Sequence, residues 1–415
     1  MVMHRFIARQ PILDRSERVY GYELLLRPGG EEFWPPMNGE PMGETIPSGT
    51  SAFEEIGELI DGTRAFLKCP REVLLGGYAA NWPRHQVVLE IGAAQEPDQE
   101  VVAACRKLKD AGYLIALEYL QGAPEDPLME VANIIKLDVT ALTDRAQWLL
   151  IRKYGPKGTM FVAEKVENRR QYQTAVQHGY SHFQGRFFLR PQPYSTSEVT
   201  PIKLVYLLVL SAVTRPEINV QEIANMIKHD LALSYKLLRF LNSARFAFHS
   251  QIKSIRHALL MLGQTELRKW IEMFSVTALG DGAPPILVST ALIRAAFCES
   301  LAPLVGASTR PPDYFLLGLL SCIDVLTGRP MSAVLAELPI ASDVNAALVG
   351  EQNPLRDVLQ TVIHYEQGNW KEFSQLAKKM ALKEQKLSDL YRQALQWSRR
   401  VTQAGKDEPI EAKSV

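Results

Sequence analysis

Five short apolar runs in the first half of the chain each end in a charged or amide residue. They are Val87-Val88-Leu89-Glu90, Leu114-Ile115-Ala116-Leu117-Glu118, Ile134-Ile135-Lys136-Leu137-Asp138, Met160-Phe161-Val162-Ala163-Glu164 and His182-Phe183-Gln184. Helix-length segments separate most of them. Runs that are apolar at successive positions are buried on both faces, as parallel strands covered by helices are. When such strands close into an α/β barrel, their carboxyl ends meet on one rim, where these folds place their chemistry. A ring of polar groups around a barrel mouth is therefore expected.

The chain has 415 residues, too many for one ordinary core, so two domains are expected. Lys+Arg and Asp+Glu both number 46, and this balance gives no sign of a nucleic-acid or membrane-surface partner. Read as sequence, no apolar run approaches the ~20 residues of a membrane span. The start, Met1-Val2-Met3-His4-Arg5, lacks a signal-peptide core. Cys69, Cys105, Cys298 and Cys322 lie far apart without Cys-x-x-Cys spacing, which fits a reducing cytoplasm better than a disulfide framework.

The pattern changes near residue 195. Leu189-Arg190-Pro191-Gln192-Pro193-Tyr194-Ser195-Thr196-Ser197 reads as a connector, and beyond it helical periodicity takes over. The expected division is a barrel over 1–195, a helical domain over 196–402 and a polar tail over 403–415. A helix is expected from Pro201 to Val213. The next has a capping box of Asn219 and Glu222, with Ile218 and Ile223 as a hydrophobic staple. Ser254 opens a helix that Gly263 is expected to end in a left-handed cap. Pro284-Pro285 and Pro311-Pro312 precede two more. Residues 28–51, rich in Pro and Gly, read as a long irregular insertion, and 121–127 as a loop at the barrel mouth.

Specific motifs extend this reading. Val19-Tyr20-Gly21-Tyr22-Glu23-Leu24-Leu25 follows a first strand, Phe6 to Asp14, across a charged turn. Further on stand Phe66-Leu67-Lys68-Cys69, Glu90-Ile91-Gly92-Ala93, Glu118-Tyr119-Leu120-Gln121, Lys136-Leu137-Asp138, Ala163-Glu164-Lys165-Val166-Glu167 and Gln184-Gly185. In this order, over residues 4–193, they resemble the EAL family of cyclic-di-GMP phosphodiesterases. The closest likeness is to the degenerate EAL domain that precedes an HDOD domain in bacterial signalling proteins. The resemblance implies a TIM-type barrel. At under 200 residues it is shorter than the usual ~250, so a missing or altered strand or helix is expected.

The resemblance also implies where metals would bind in an active relative. Glu23 keeps the glutamate of the Glu-Ala-Leu motif. Lys68 stands where the family has an asparagine ligand. Glu90 keeps one glutamate, and Ala93 replaces a second. Glu118-Tyr119 replaces the metal-holding Asp-Asp pair. Lys136, Asp138, Glu164, Glu167 and Gln184 survive, with Ala163-Glu164-Lys165-Val166-Glu167 standing for the family's Ala-Glu-Gly-Val-Glu. Two-metal hydrolysis needs several hard oxygen ligands at short range. An ammonium at Lys68, a lost carboxylate at Tyr119 and an added methylene at Glu118 all work against that. The vestigial site is thus expected to hold no metal and no cofactor and to carry no catalytic residue. Lys68 and Lys136 are expected to neutralise Glu23, Glu90 or Asp138, because buried charges persist only when paired.

In the second half, Ile223 through Ala244 and Ile252 through Gly263 resemble the HDOD signature, over about residues 200–345. HDOD domains resemble HD phosphohydrolases that generally lack the metal residues. His229-Asp230 mimics an HD pair, but the position of the true pair reads Gly318-Leu319-Leu320-Ser321-Cys322, with both ligands absent. The expected protein is a non-catalytic cytoplasmic signalling regulator that acts through an unidentified protein partner. A homodimer is also compatible, and neither nucleic acid nor membrane insertion is expected. The alternatives are a weak metal-dependent cyclic-di-GMP phosphodiesterase and a catalytically dead cyclic-di-GMP receptor.

Overall fold

The computed structural model describes residues 7–26, 56–92, 97–119, 126–190, 201–215, 217–228, 255–280 and 282–404. The chain divides into two compact units. One is Met1–Arg190 with His364–Trp370, and the other is Pro191–Ile363 with Lys371–Val415. The insertion at 28–51, the connector beyond Arg190, the His229-Asp230 pair and the tail beyond Ala404 lie outside the described residues.

The first unit is a closed barrel of eight strands in chain order: β1 (Ile7–Asp14), β2 (Val19–Leu26), β3 (Arg64–Lys68), β4 (Val87–Ile91), β5 (Leu114–Glu118), β6 (Ile134–Asp138), β7 (Met160–Glu164) and β8 (His182–Gln184). No strand is missing, which corrects one half of the expectation drawn from length. Strand β1 runs antiparallel to both neighbours, so a tight turn suffices between β1 and β2 in place of a crossover helix. Asp14 builds that turn, its Oδ1 accepting from the backbone N–H of Ser16 and Arg18 at 2.8 and 2.9 Å. The helix after β5, α3 (Leu128–Val131), has four residues, and α1 (Arg71–Leu75) after β3 has five. Shortened connections account for the small size.

Side chains alternate along each strand with a period of two. Ile12, Phe66, Val88, Ala116, Ile134 and Val162 therefore form one buried apolar layer inside the barrel. Gly21 leaves room for the Phe66 ring, since a Cβ there would lie 2.9 Å from it. Two residues further along their strands, the same inner face carries Lys68, Glu90, Glu118, Lys136 and Glu164. The charged ring is the next layer toward the mouth.

The second unit is helical. Its described helices include α6 (Pro201–Thr214), α7 (Val220–Lys228), α8 (Ile255–Leu279), α9 (Pro285–Leu301) and α10 (Pro311–Leu320). Asn219 caps α7, accepting from Gln221 N and Glu222 N, both at 3.1 Å. Glu222 turns instead to Arg215, at 3.0 Å, so the capping box is half formed. Gly263 breaks α8 with φ 72° and ψ 162°. The helical stretch Pro285–Val305 is long and apolar enough to cross a membrane by length and composition, contrary to the sequence reading. Two-thirds of it (67%) is buried inside the protein, as a core helix would be.

Candidate functional site

Three carboxyl-bearing strands and one lysine strand converge below the barrel mouth. Lys136 Nζ lies 2.8 Å from Glu23 Oε2, 2.9 Å from Glu90 Oε2 and 2.8 Å from Glu164 Oε1. Its side chain and that of Glu90 are both 0% exposed. Gln184 Nε2 donates to the same Glu23 oxygen at 2.7 Å and to Gln10 Oε1 at 3.2 Å. Gln10 Nε2 in turn donates to the carbonyl of Gln367, in the short segment that clusters with this unit, at 3.1 Å. The ammonium is thus coordinated by three carboxylates, which is what a charge at this depth requires.

Lys68 enters the same cluster from the rim, with 54% of its side chain exposed. Its Nζ lies 2.7 Å from Glu118 Oε1 and 3.9 Å from both Glu23 Oε1 and Glu90 Oε1. Its main partner is therefore Glu118, which the sequence reading did not name. Asp138 pairs with Lys165, at 2.6 Å, and accepts from Thr140 Oγ1, also at 2.6 Å. Glu167 pairs with Arg186, at 2.6 Å. The Tyr119 hydroxyl is held above its usual range by burial and by Tyr154 and Asp126.

The electrostatics follow from depth. Burial and the charge of Glu23 push the Glu90 carboxyl well up, whereas Glu118, despite burial, is drawn down to about 2 by hydrogen bonds from Glu90 and Lys68. Burial acts to raise Glu23, but Lys136 and Gln184 outweigh it and hold the carboxyl below its usual value. Burial opposes the charge on Lys136, yet Glu23, Glu90 and Glu164 raise it well above an ordinary lysine.

Lys165 is the site residue that the sequence reading passed over. Its φ of 55° is left-handed, a conformation that glycine adopts without strain. The EAL motif has glycine at this place, so the exchange of glycine for lysine was the available signal. The following loop is held by Gly185, whose φ is 148° and where a Cβ would lie 2.1 Å from Val166 O. Val166 N donates to Gln184 O and Phe187 N to Val166 O, each at 3.0 Å.

Among the described residues, Glu23, Glu90 and Glu118 have carboxylate oxygens within 4.8 Å of one another, close enough to share a cation. A pair of divalent metals does not fit the residues present, because Lys68 projects its ammonium into that group and Lys165 engages Asp138. At the vestigial HD position, Ser321 and buried Cys322 face the Arg294 guanidinium, with Nη1 donating to Ser321 Oγ at 3.3 Å and lying 3.5 Å from Cys322 Sγ. The close helix crossing there depends on Gly318, where a Cβ would lie 2.3 Å from Arg294 O.

A closed barrel with this motif order, followed by a helical unit, defines a two-domain signalling architecture. The HDOD domain family matches residues 200–338. The uncharacterized protein YuxH of Bacillus subtilis is 32% identical over 406 residues, covering 95% of this chain and 98% of that one. The cyclic di-GMP phosphodiesterase CdgJ of Vibrio cholerae is 28% identical over 382 residues, covering 89% and 87%. Among solved structures, the EAL-domain protein YkuI of Bacillus subtilis matches 62% of this chain and 71% of its own, at 17% identity and a TM-score of 0.33. The chain belongs to the EAL–HDOD family of bacterial signalling proteins.

Proposed function

We propose that this chain is a non-catalytic cytoplasmic regulator whose barrel no longer hydrolyses cyclic-di-GMP and which acts by contact with a protein partner. The observation that carries the reading is the occupation of the carboxylate cluster by ammonium groups, with Lys136 on Glu23, Glu90 and Glu164 and Lys68 on Glu118. Hydrolysis by paired metals needs those oxygens free and the local charge strongly negative. The HDOD unit supports the same reading, since Ser321 and Cys322 supply no carboxylate or imidazole at the HD position.

A second reading, a weak cyclic-di-GMP phosphodiesterase, is favoured by the likeness to CdgJ. Incubation of the purified chain with cyclic-di-GMP and Mg²⁺ or Mn²⁺, followed by product analysis, separates the two. No linear dinucleotide above a Glu23→Ala control is expected. Turnover above that control refutes the non-catalytic reading. Calorimetric binding of cyclic-di-GMP without product makes the barrel a receptor instead.

A further inference from the structure

We propose that Lys68 is a tethered counter-ion, its ammonium standing where Glu23, Glu90 and Glu118 would otherwise hold a hard divalent cation, and that removing its charge opens the position to Mn²⁺ or Mg²⁺. The inference deepens the non-catalytic reading and rests on it.

The carboxylate oxygens divide into two sets. Oε2 of Glu23 and Oε2 of Glu90 face Lys136, at 2.8 and 2.9 Å. Oε1 of Glu23, Glu90 and Glu118 face Lys68. Lys136 satisfies the lower set fully, but Lys68 satisfies the upper set only in part. It reaches Glu118 at 2.7 Å and stays 3.9 Å from the other two, beyond hydrogen-bond length. Glu90 Oε1 is fully buried, and among the described residues no N–H or O–H group donates to it. A buried carboxylate oxygen in that state is costly and is relieved only by a proton or by a cation that comes closer than an ammonium can. A divalent ion bonds carboxylate oxygens at roughly 2.0–2.6 Å, so it satisfies all three where the ammonium satisfies one.

The stem of Lys68 also permits the exchange. It comes from the rim and is half exposed, so neutralising it leaves the apolar layer of Phe66, Val88 and Ala116 beneath it intact. Lys136 stays in place below and prevents collapse of the carboxylates onto one another.

The test compares wild type, Lys68→Met, Lys68→Asn, Lys68→Arg and Lys68→Met/Glu118→Gln as full-length chains. Mn²⁺ is titrated at pH 7.5 and read by calorimetry and by the electron paramagnetic resonance of free Mn²⁺. Circular dichroism first establishes that each is folded, and Lys68→Asn serves if Lys68→Met is not. One bound Mn²⁺ is expected in both charge-removed variants, at least tenfold tighter than in wild type or Lys68→Arg, and lost with the added Glu118→Gln. Equal affinity in wild type and the folded charge-removed variants overturns the inference, as does absence of Mn²⁺ binding in those variants. Either result leaves the non-catalytic reading standing, because that reading falls only to turnover by wild type.

Discussion

Replacing Lys136 by Met should destabilise the barrel unit by about 3–5 kcal/mol at pH 8. The size follows from the geometry. Contacts of 2.8, 2.9 and 2.8 Å to three carboxylates hold this one ammonium. In an effective dielectric near 20, each is worth about 6 kcal/mol gross, more in sum than the several kcal/mol needed to desolvate the ion. Methionine fills the volume of the stem but leaves Glu23, Glu90 and Glu164 facing one another. The pH dependence gives the sharper test. In wild type, the lowered Glu23 pKa contributes stability above the ordinary carboxylate value and loses it as pH falls through the folded value. Without Lys136 the sign reverses, because the unpaired carboxyls take up protons and the variant weakens as pH rises from about 4.5. The gap between the two proteins should thus be small near pH 4.5 and widen toward pH 8. Urea denaturation of the full chain, followed by circular dichroism at pH 4.5, 6 and 8, measures it. Adding Glu23→Gln and Glu164→Gln should recover much of the loss. A loss below about 1 kcal/mol at pH 8, or one that does not change with pH, refutes the reasoning.

Glu272, 1% exposed on α8, is pushed up to about 8 by burial, so folding binds a proton that the unfolded chain releases near pH 4.5. Its contribution is present below that pH and lost as pH rises toward 8, so Glu272→Gln should stabilise the helical unit by about 3 kcal/mol at pH 7 and by much less at pH 5, read from denaturation midpoints. Gly185→Ala should cost at least about 2 kcal/mol, from its left-handed backbone and the collision with Val166 O, and a thermal shift below 2 °C would contradict it. Asn219→Ala should cost about 1 kcal/mol through the lost α7 cap, measured by the same denaturation.

The strands were legible because burial on both faces leaves an unbroken apolar signature, and each predicted run appears as β4 to β8. The charged turn near Asp14 signalled the β1–β2 hairpin. The antiparallel sense of β1 was not legible from length, which suggested a defect where there is a closed ring. The members of the charged layer were legible from motif order, but their pairing was not. Lys68 was expected against Glu23, Glu90 or Asp138, and it bonds Glu118, because adjacent parallel strands set it level with Glu90 and its long stem reaches on to the next strand. Depth was equally hidden. Nothing in Lys68 or Lys136 taken alone says that one is half exposed and the other wholly enclosed. The shape of the chain around each lysine decides that, and it transfers the structural role to Lys136.

Net charge is what binds these substitutions into one argument. Five carboxylates at the mouth (Glu23, Glu90, Glu118, Asp138 and Glu164) face three ammonium groups, Lys68, Lys136 and Lys165. Five carboxylates against three ammonium groups leave two net negative charges. Two divalent ions bring four positive charges, and a cage this close to neutral has little electrostatic reason to collect them. Four departures from the EAL pattern each move the balance by one unit in the same direction: Lys68 for asparagine, Lys165 for glycine, Tyr119 for aspartate and Ala93 for glutamate. Lys68 and Lys165 sit at the rim and each engages a carboxylate, so two of the changes neutralise the cage without disturbing its floor. Lys136 and the apolar layer beneath it still hold the barrel together. Loss of the metal site and retention of the fold are therefore compatible, because the charges that set the first lie one layer above the contacts that set the second.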